Sequence, residues 1–199
     1  MKNIVCFIDN LNAGGAQRQI CYLAKFLKEN GFNVTLLTYY NSDFFSYYLS
    51  KNKINHIKIN ENTKIKKAYK LFTYLRTKNH DIVIAYLKNP SIFAEFASIG
   101  KKWKLIVSER NNDPSGLYHN LLRRLMHLFA DHIVVNSVTN KKKLKKEAPW
   151  LKQISTIHNY VDLEEFHKTY GLNYSILRYG SLYGPRADSN NGILRIISN

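Results

Sequence analysis

Acidic residues are scarce in this chain: 14 Asp and Glu stand against 30 Lys and Arg, a formal net charge of +16 over 199 residues. An excess of that size points to an anionic partner such as nucleic acid, an acidic membrane or a phosphorylated ligand, or else to an ordinary solvated basic surface. Cysteine is rarer still. Cys6 and Cys21 are the only two, which excludes a disulfide scaffold and cysteine-based metal spacing. Both read as small buried apolar residues of a reducing compartment. No apolar run approaches the ~20 residues a membrane-spanning helix needs. The run near the N-terminus, Ile4 to Ile8, is cut off by Asp9-Asn10, too early for a signal-peptide core. A cytoplasmic protein is therefore expected. Hydrophobic residues make up 45% of the chain, enough for one ordinary folded domain with its own core.

What is present is a regular alternation of two periods. Ile4–Ile8 reads as a buried parallel strand. Residues 16–30 place Ile20, Leu23, Ala24 and Leu27 at helical spacing, and Gly31 supplies the stop. Strands are expected at Val34–Thr38, Ile54–Ile59, Ile82–Tyr86, Leu105–Val107, Ile133–Val135 and Ile154–Ile157. Between them lie a short helix at Phe44–Leu49 and a basic helix capped by Thr63 and running to Lys78. A helix from Pro90 to Ile99 follows, then helices at Leu117–Ala130 and Thr139–Ala148. Strand and helix in step make an α/β fold with a mainly parallel sheet and helices on both faces.

Ligands of such folds bind beyond the carboxyl ends of the strands. That edge collects Asn12–Gly15, Tyr86–Asn89, Ser108–Asn111 and Asn136–Ser137. The first of these opens a helix with Gly14-Gly15-Ala16-Gln17-Arg18. Backbone N–H groups at a helix N-terminus suit a phosphate, and glycines let it approach the main chain. The plainer reading is that a tight strand-to-helix turn needs glycine whatever its function. Ser137 equally reads as a helix cap, and Arg110 as half of a surface ion pair. His119, His127, His132 and His158 read as packing or surface residues rather than ligands, and no metal site is predicted.

Four segments occur in a telling order: Gly14-Gly15-Ala16-Gln17-Arg18, Ser108-Glu109-Arg110-Asn111, Val134-Val135-Asn136-Ser137 and Asn159-Tyr160-Val161-Asp162. Together they resemble the N-terminal half of family 4 of the retaining glycosyltransferases, GT-B enzymes with two facing Rossmann-like domains. The resemblance covers roughly residues 1–166, and the domain it implies is set at residues 1–168. It implies one half of a GT-B fold on the acceptor side. The reaction implied is sugar transfer from a nucleotide-sugar donor to a glycan or lipid-linked acceptor in surface-polysaccharide assembly, with no cofactor. Gly14, Gly15, Gln17 and Arg18 would meet the donor phosphate or substrate. Glu109, Arg110, Asn111, Asn136 and Ser137 would line the acceptor-side cleft. The family's second domain, which reads the donor, is not recognised in these residues, so the chain alone is expected to be inactive.

Residues 169–199 change character. Leu177-Arg178-Tyr179-Gly180-Ser181-Leu182-Tyr183-Gly184-Pro185-Arg186 resembles a fragment of a nucleotide-sugar epimerase or dehydratase of the extended short-chain dehydrogenase type. This implies a composite chain with a short C-terminal tail, and an NAD-dependent oxidoreductase as an alternative. The first turn, Asn12-Ala13-Gly14-Gly15-Ala16, is not that family's dinucleotide fingerprint. The Tyr/Lys pairs it would need, Tyr47/Lys51 and Tyr74/Lys78, arise by chance in a chain rich in both. A basic nucleic-acid-binding protein is a lower alternative, and no nucleic-acid signature appears. The basic stretches Lys64–Lys70, Arg123-Arg124 and Lys141–Lys146 would suit peripheral contact with an anionic membrane on its inner face.

Overall fold

Among the described residues, seven short strands pair in parallel in the order β3-β2-β1-β4-β5-β6-β7. The computed structural model describes residues 1–110 and 117–160. The strands are β1 (Asn3–Phe7), β2 (Asn33–Thr38), β3 (Asn55–Lys58), β4 (Ile82–Tyr86), β5 (Lys104–Glu109), β6 (His132–Val135) and β7 (Ile154–Thr156). Between them run α1 (Gly15–Glu29), α2 (Ser46–Lys51), α3 (Lys64–Thr77), α4 (Lys88–Ser98), α5 (Leu117–Met126) and α6 (Val138–Glu147). The chain divides into two units, Met1–Tyr160 and Val161–Asn199. The second, with the epimerase-like segment 169–199 and Asp162, lies outside the described residues, as does Asn111.

The two faces of the sheet explain the near-continuous apolar strands. Side chains alternate along a strand, so Ile4, Cys6 and Ile8 pack with Ile20, Cys21 and Ala24 of α1. Val5 and Phe7 point the other way, against Leu71 and Leu75 of α3 and Ala94 and Ala97 of α4. Both faces are therefore covered, as a parallel sheet requires. A smaller core joins Ile133 and Val135 to Leu144 of α6 and Ile154. Burial raises the Cys6 thiol to about 12, with nearby Cys21 adding to it, and raises Cys21 to about 12. Both remain protonated packing groups.

Local signals placed the elements to within a few residues. Gly31 follows α1 with φ +83°, a conformation glycine takes at no steric cost. Thr63 Oγ1 accepts from the Lys66 amide at 3.3 Å and caps α3. Helix α4 begins at Lys88, ahead of Pro90, which sits in the first turn where no N–H is required. Strand β5 runs on to Glu109 because that residue still pairs with Val135 of β6. The expected helix to Ala130 stops at Met126 and tightens into a 3-10 turn, His127–Phe129. Among the described residues no helix is long and apolar enough to cross a membrane.

Candidate functional site

The sheet order reverses at its middle: β2 and β3 lie on one side of β1, and β4 to β7 on the other. Connections leave the strand ends in opposite directions there, and the gap between them is where open α/β sheets bind ligands. Gly15, Ala16 and Gln17 from the turn after β1 meet Leu87 after β4, Arg110 after β5, Asn136 after β6 and Asn159 after β7. They line a depression of about 370 Å³.

The glycine turn does not need its glycines for backbone reasons. Gly14 is extended, with φ −153°, and among the described residues the positive-φ glycines are Gly31 and Gly100. A Cβ on Gly15 would meet nothing within 4 Å, so that position is open space rather than a packing contact. A Cβ on Gly14 would meet only the side-chain end of Gln17. Helix α1 has no side-chain cap and no acidic residue in its first turn. Its leading amides thus keep their donors and the positive end of the helix dipole for an anion.

Arg110 supplies the full charge. Its guanidinium lies over the Tyr86 ring, 4.3 Å from the centroid. It donates to Ser108 Oγ at 3.0 Å, Tyr86 Oη at 2.9 Å and Asn159 Oδ1 at 2.6 Å. All three acceptors are neutral. The surface ion pair open on sequence is therefore not formed among the described residues. The cation is oriented by Tyr86, Ser108 and Asn159, and among the described residues no carboxylate pairs with it. Sequence reasoning singled out Arg110 but missed Tyr86 and Ser108 as its holders, because the contact depends on β4 and β5 ending side by side. Leu87, at the rim, has φ +72°, a conformation that costs a non-glycine residue about 1–3 kcal/mol and clusters at functional sites.

The remaining candidates separate. Asn136 lines the depression, and its Oδ1 accepts from Asn140 Nδ2 at 2.8 Å. Ser137 accepts from the Asn140 amide at 3.1 Å and caps α6, the plainer role. Gln17 donates to Asn10 Oδ1 at 3.2 Å. Arg18 is exposed and outside the lining. Glu109 turns inward: Arg124 Nη1 contacts its two oxygens at 2.6 and 2.7 Å, and His127 Nε2 lies 3.0 Å from Oε2. On its other side His127 Nδ1 is 2.6 Å from Glu95 Oε1. Arg124 continues to Glu147 Oε2 at 2.8 Å, and Arg123 lies 3.5 Å from Glu109.

This cluster corrects one sequence expectation. Arg123 and Arg124 are each 7% exposed and are spent on Glu109 and Glu147, so they do not form a membrane-facing patch. Burial alone would raise the Glu109 carboxyl. The His127 hydrogen bond, the Arg123 charge and the Arg124 hydrogen bonds outweigh it and hold Glu109 at about 2. Burial would likewise lower His127, but hydrogen bonds to Glu109 and Glu95 raise it above its ordinary value.

The profile of Glycosyltransferase Family 4 matches residues 13–165. A Campylobacter jejuni relative is 25% identical over 195 residues, covering 92% of this chain and 53% of that protein. It is described as GalNAc-alpha-(1->4)-GalNAc-alpha-(1->3)-diNAcBac-PP-undecaprenol alpha-1,4-N-acetyl-D-galactosaminyltransferase. Among solved structures, Anabaena Alr3699/HepE in complex with UDP and glucose superposes with a TM-score of 0.66 at 14% identity, over 86% of this chain and 50% of that one. A glycosyltransferase from Rickettsia africae gives 0.61 at 19% identity, over 90% and 54%. The structural likeness establishes the fold. The chain spans about half the length of the relatives it matches.

Proposed function

The chain belongs to glycosyltransferase family 4, and on that premise we propose that residues 1–160 form the acceptor-side domain of a sugar transferase. The reaction would move a sugar from a nucleotide donor to a hydroxyl of a glycan or lipid-linked acceptor. The carrying observation is Arg110, a cation held by three neutral oxygens beside the uncapped N-terminus of α1. When a nucleotide sugar reacts, a diphosphate leaves, and positive, pre-organised groups must meet it. Arg110 and the amides after Gly14 supply such groups from this side. The nucleotide itself would be read by a second half, which residues 1–160 do not form.

Calorimetric titration of the 199-residue chain with UDP, UDP-sugars and uridine tests this. Diphosphate-dependent binding is expected, with uridine silent. Arg110→Gln should weaken UDP binding about tenfold, the loss of one charge-assisted contact. Equal responses to UDP and uridine, or an unchanged Arg110→Gln variant, would overturn the reading.

A lipid-linked acceptor would place the domain at a membrane surface, and α3 is the element suited to it. Ile65 and Tyr69 are 83% and 70% exposed, and Lys64, Lys66 and Lys70 flank them on the exposed side. An outward apolar stripe bordered by lysines suits shallow insertion into an anionic surface. Peripheral attachment to the inner face of the cell membrane is part of this proposal.

A further inference from the structure

A second depression, of about 540 Å³, opens between α3 and α4. Leu87, the residue before α4, borders the first depression, and Asn89, two residues on, borders this one. Its volume lies within the roughly 300–1,000 Å³ of small-molecule sites. Tyr39, Tyr40 and Phe93 give it aromatic walls, and Lys64 and Lys67 give it charge.

We propose that this depression seats an anionic saccharide, a sugar ring carrying a phosphate or a carboxylate, and so holds the part of the acceptor distant from the reacting hydroxyl. The proposal rests on the acceptor-side reading of the domain. Three observations carry it. First, the lysines stand where the fold would not put them. Lys64, Lys66 and Lys67 occupy the first turn of α3, which holds no acidic residue, and cations there oppose the helix dipole. Among the described residues, Lys64 and Lys67 have no carboxylate partner. Glu61 pairs with Lys70 instead. An anion in the depression would relieve that repulsion.

Second, Lys67 lies 4.5 Å from the centroid of the Tyr40 ring. That cation–π contact holds the ammonium beside an aromatic plate. Ring and charge are then offered together, which matches a ligand with an apolar sugar face and a nearby anionic group. Third, Tyr39 lines the depression at 3% exposure, and among the described residues its hydroxyl has no hydrogen-bond partner. Burial, with Asp9 and Tyr40 nearby, raises that phenol well above its ordinary value, so it keeps its proton as a donor. Unsatisfied buried donors are rare and call for a reason; a ligand oxygen supplies one.

The test is an NMR titration of the full 199-residue chain with glucose 1-phosphate, glucuronate and glucose. Both charged sugars should bind about tenfold tighter than glucose, one charge-assisted contact's worth. Whichever binds tighter identifies the source of the anion. A Lys64→Gln/Lys67→Gln double variant should abolish the difference. Both lysines reach solvent, so that variant should fold. Tyr39→Phe should weaken binding about threefold without lowering thermal stability, because no protein hydrogen bond is lost. Equal binding of glucose and the charged sugars, indifference to the lysine substitutions, or loss of binding in Arg110→Gln would overturn the proposal. Failure of UDP to bind would count against the transferase reading alone, since these probes report on this depression independently.

Discussion

Arg124 grips both carboxylate oxygens of Glu109, at 2.6 and 2.7 Å, in the interior of the domain. The neighbouring Arg110 points instead to the ligand depression. Consecutive residues at the end of a strand project to opposite sides, so one position anchors the strand while the next presents a charge. Glu109 is thus a positioning residue for Arg110. The chain Glu95–His127–Glu109–Arg124–Glu147 ties α4, the 3-10 turn, β5, α5 and α6 into one unit beneath the site.

This unit predicts a stability optimum in mildly acidic solution. Glu109 sits at about 2 when folded, against about 4.3 unfolded, a difference of about 3 kcal/mol. That contribution is complete above about pH 4.3 and is lost as pH falls through 2. His127 is raised, so its contribution is complete below about pH 6.5 and is lost as pH rises past its folded value. Urea unfolding between pH 3 and pH 9 should show both falls. His127→Gln should remove the alkaline one, and a flat profile above pH 6.5 in the unmodified chain would refute the assignment.

Removing the carboxylate should be costly. Glu109→Gln leaves two arginines and a histidine short of their shared counter-charge, and breaking a buried pair costs about 3–5 kcal/mol. The chemical-denaturation midpoint should drop accordingly. A loss below about 1 kcal/mol would mean that solvent reaches the cluster.

Gly15→Ala should separate folding from function. Gly15 opens α1 with nothing within 4 Å of a new Cβ, so stability should hold or rise by up to about 1 kcal/mol. UDP binding should fall, because the methyl group occupies the approach to the first-turn amides. Unchanged UDP binding would show that no ligand comes that close.

Arg110→Lys should be intermediate. It keeps the charge but cannot reach Tyr86, Ser108 and Asn159 together. Its UDP affinity should fall between the unmodified chain and Arg110→Gln, with a melting temperature near that of the unmodified chain because the partners are neutral.

Sedimentation with acidic vesicles checks the membrane contact. Binding should be strongest at low salt and weaken as salt rises, each lysine near the surface contributing about 1 kcal/mol. Ile65→Ser/Tyr69→Ser should reduce it even at low salt, since apolar insertion is removed. Binding that depends on Arg123 or Arg124 is not expected, because both are buried.

Local chemistry made much of the fold legible. Thr63 and Gly31 acted where their sequence context placed them, since a cap and a left-handed residue depend only on a few neighbours. The strands were legible as apolar runs because both faces of a parallel sheet are covered. Arg123 and Arg124 were misjudged for the opposite reason. In sequence they are a basic pair on a helix, and only the approach of Glu109 and Glu147 makes them interior residues. His127 gave no signal beyond its ordinary packing role. Its two carboxylate partners lie on separate elements.

By itself, then, the sequence determined the alternation of strand and helix, the glycine turn after the first strand and the family to which the chain belongs. Those properties reside in short stretches of chain. Tertiary structure alone decided that Arg110 has only neutral partners among the described residues, that Glu109 is an anchor rather than a cleft residue, and that Lys64 and Lys67 meet Tyr39 and Tyr40 around one depression. Charge and hydrogen bonding act through space over a few ångströms, and only the folded sheet brings these residues within that range.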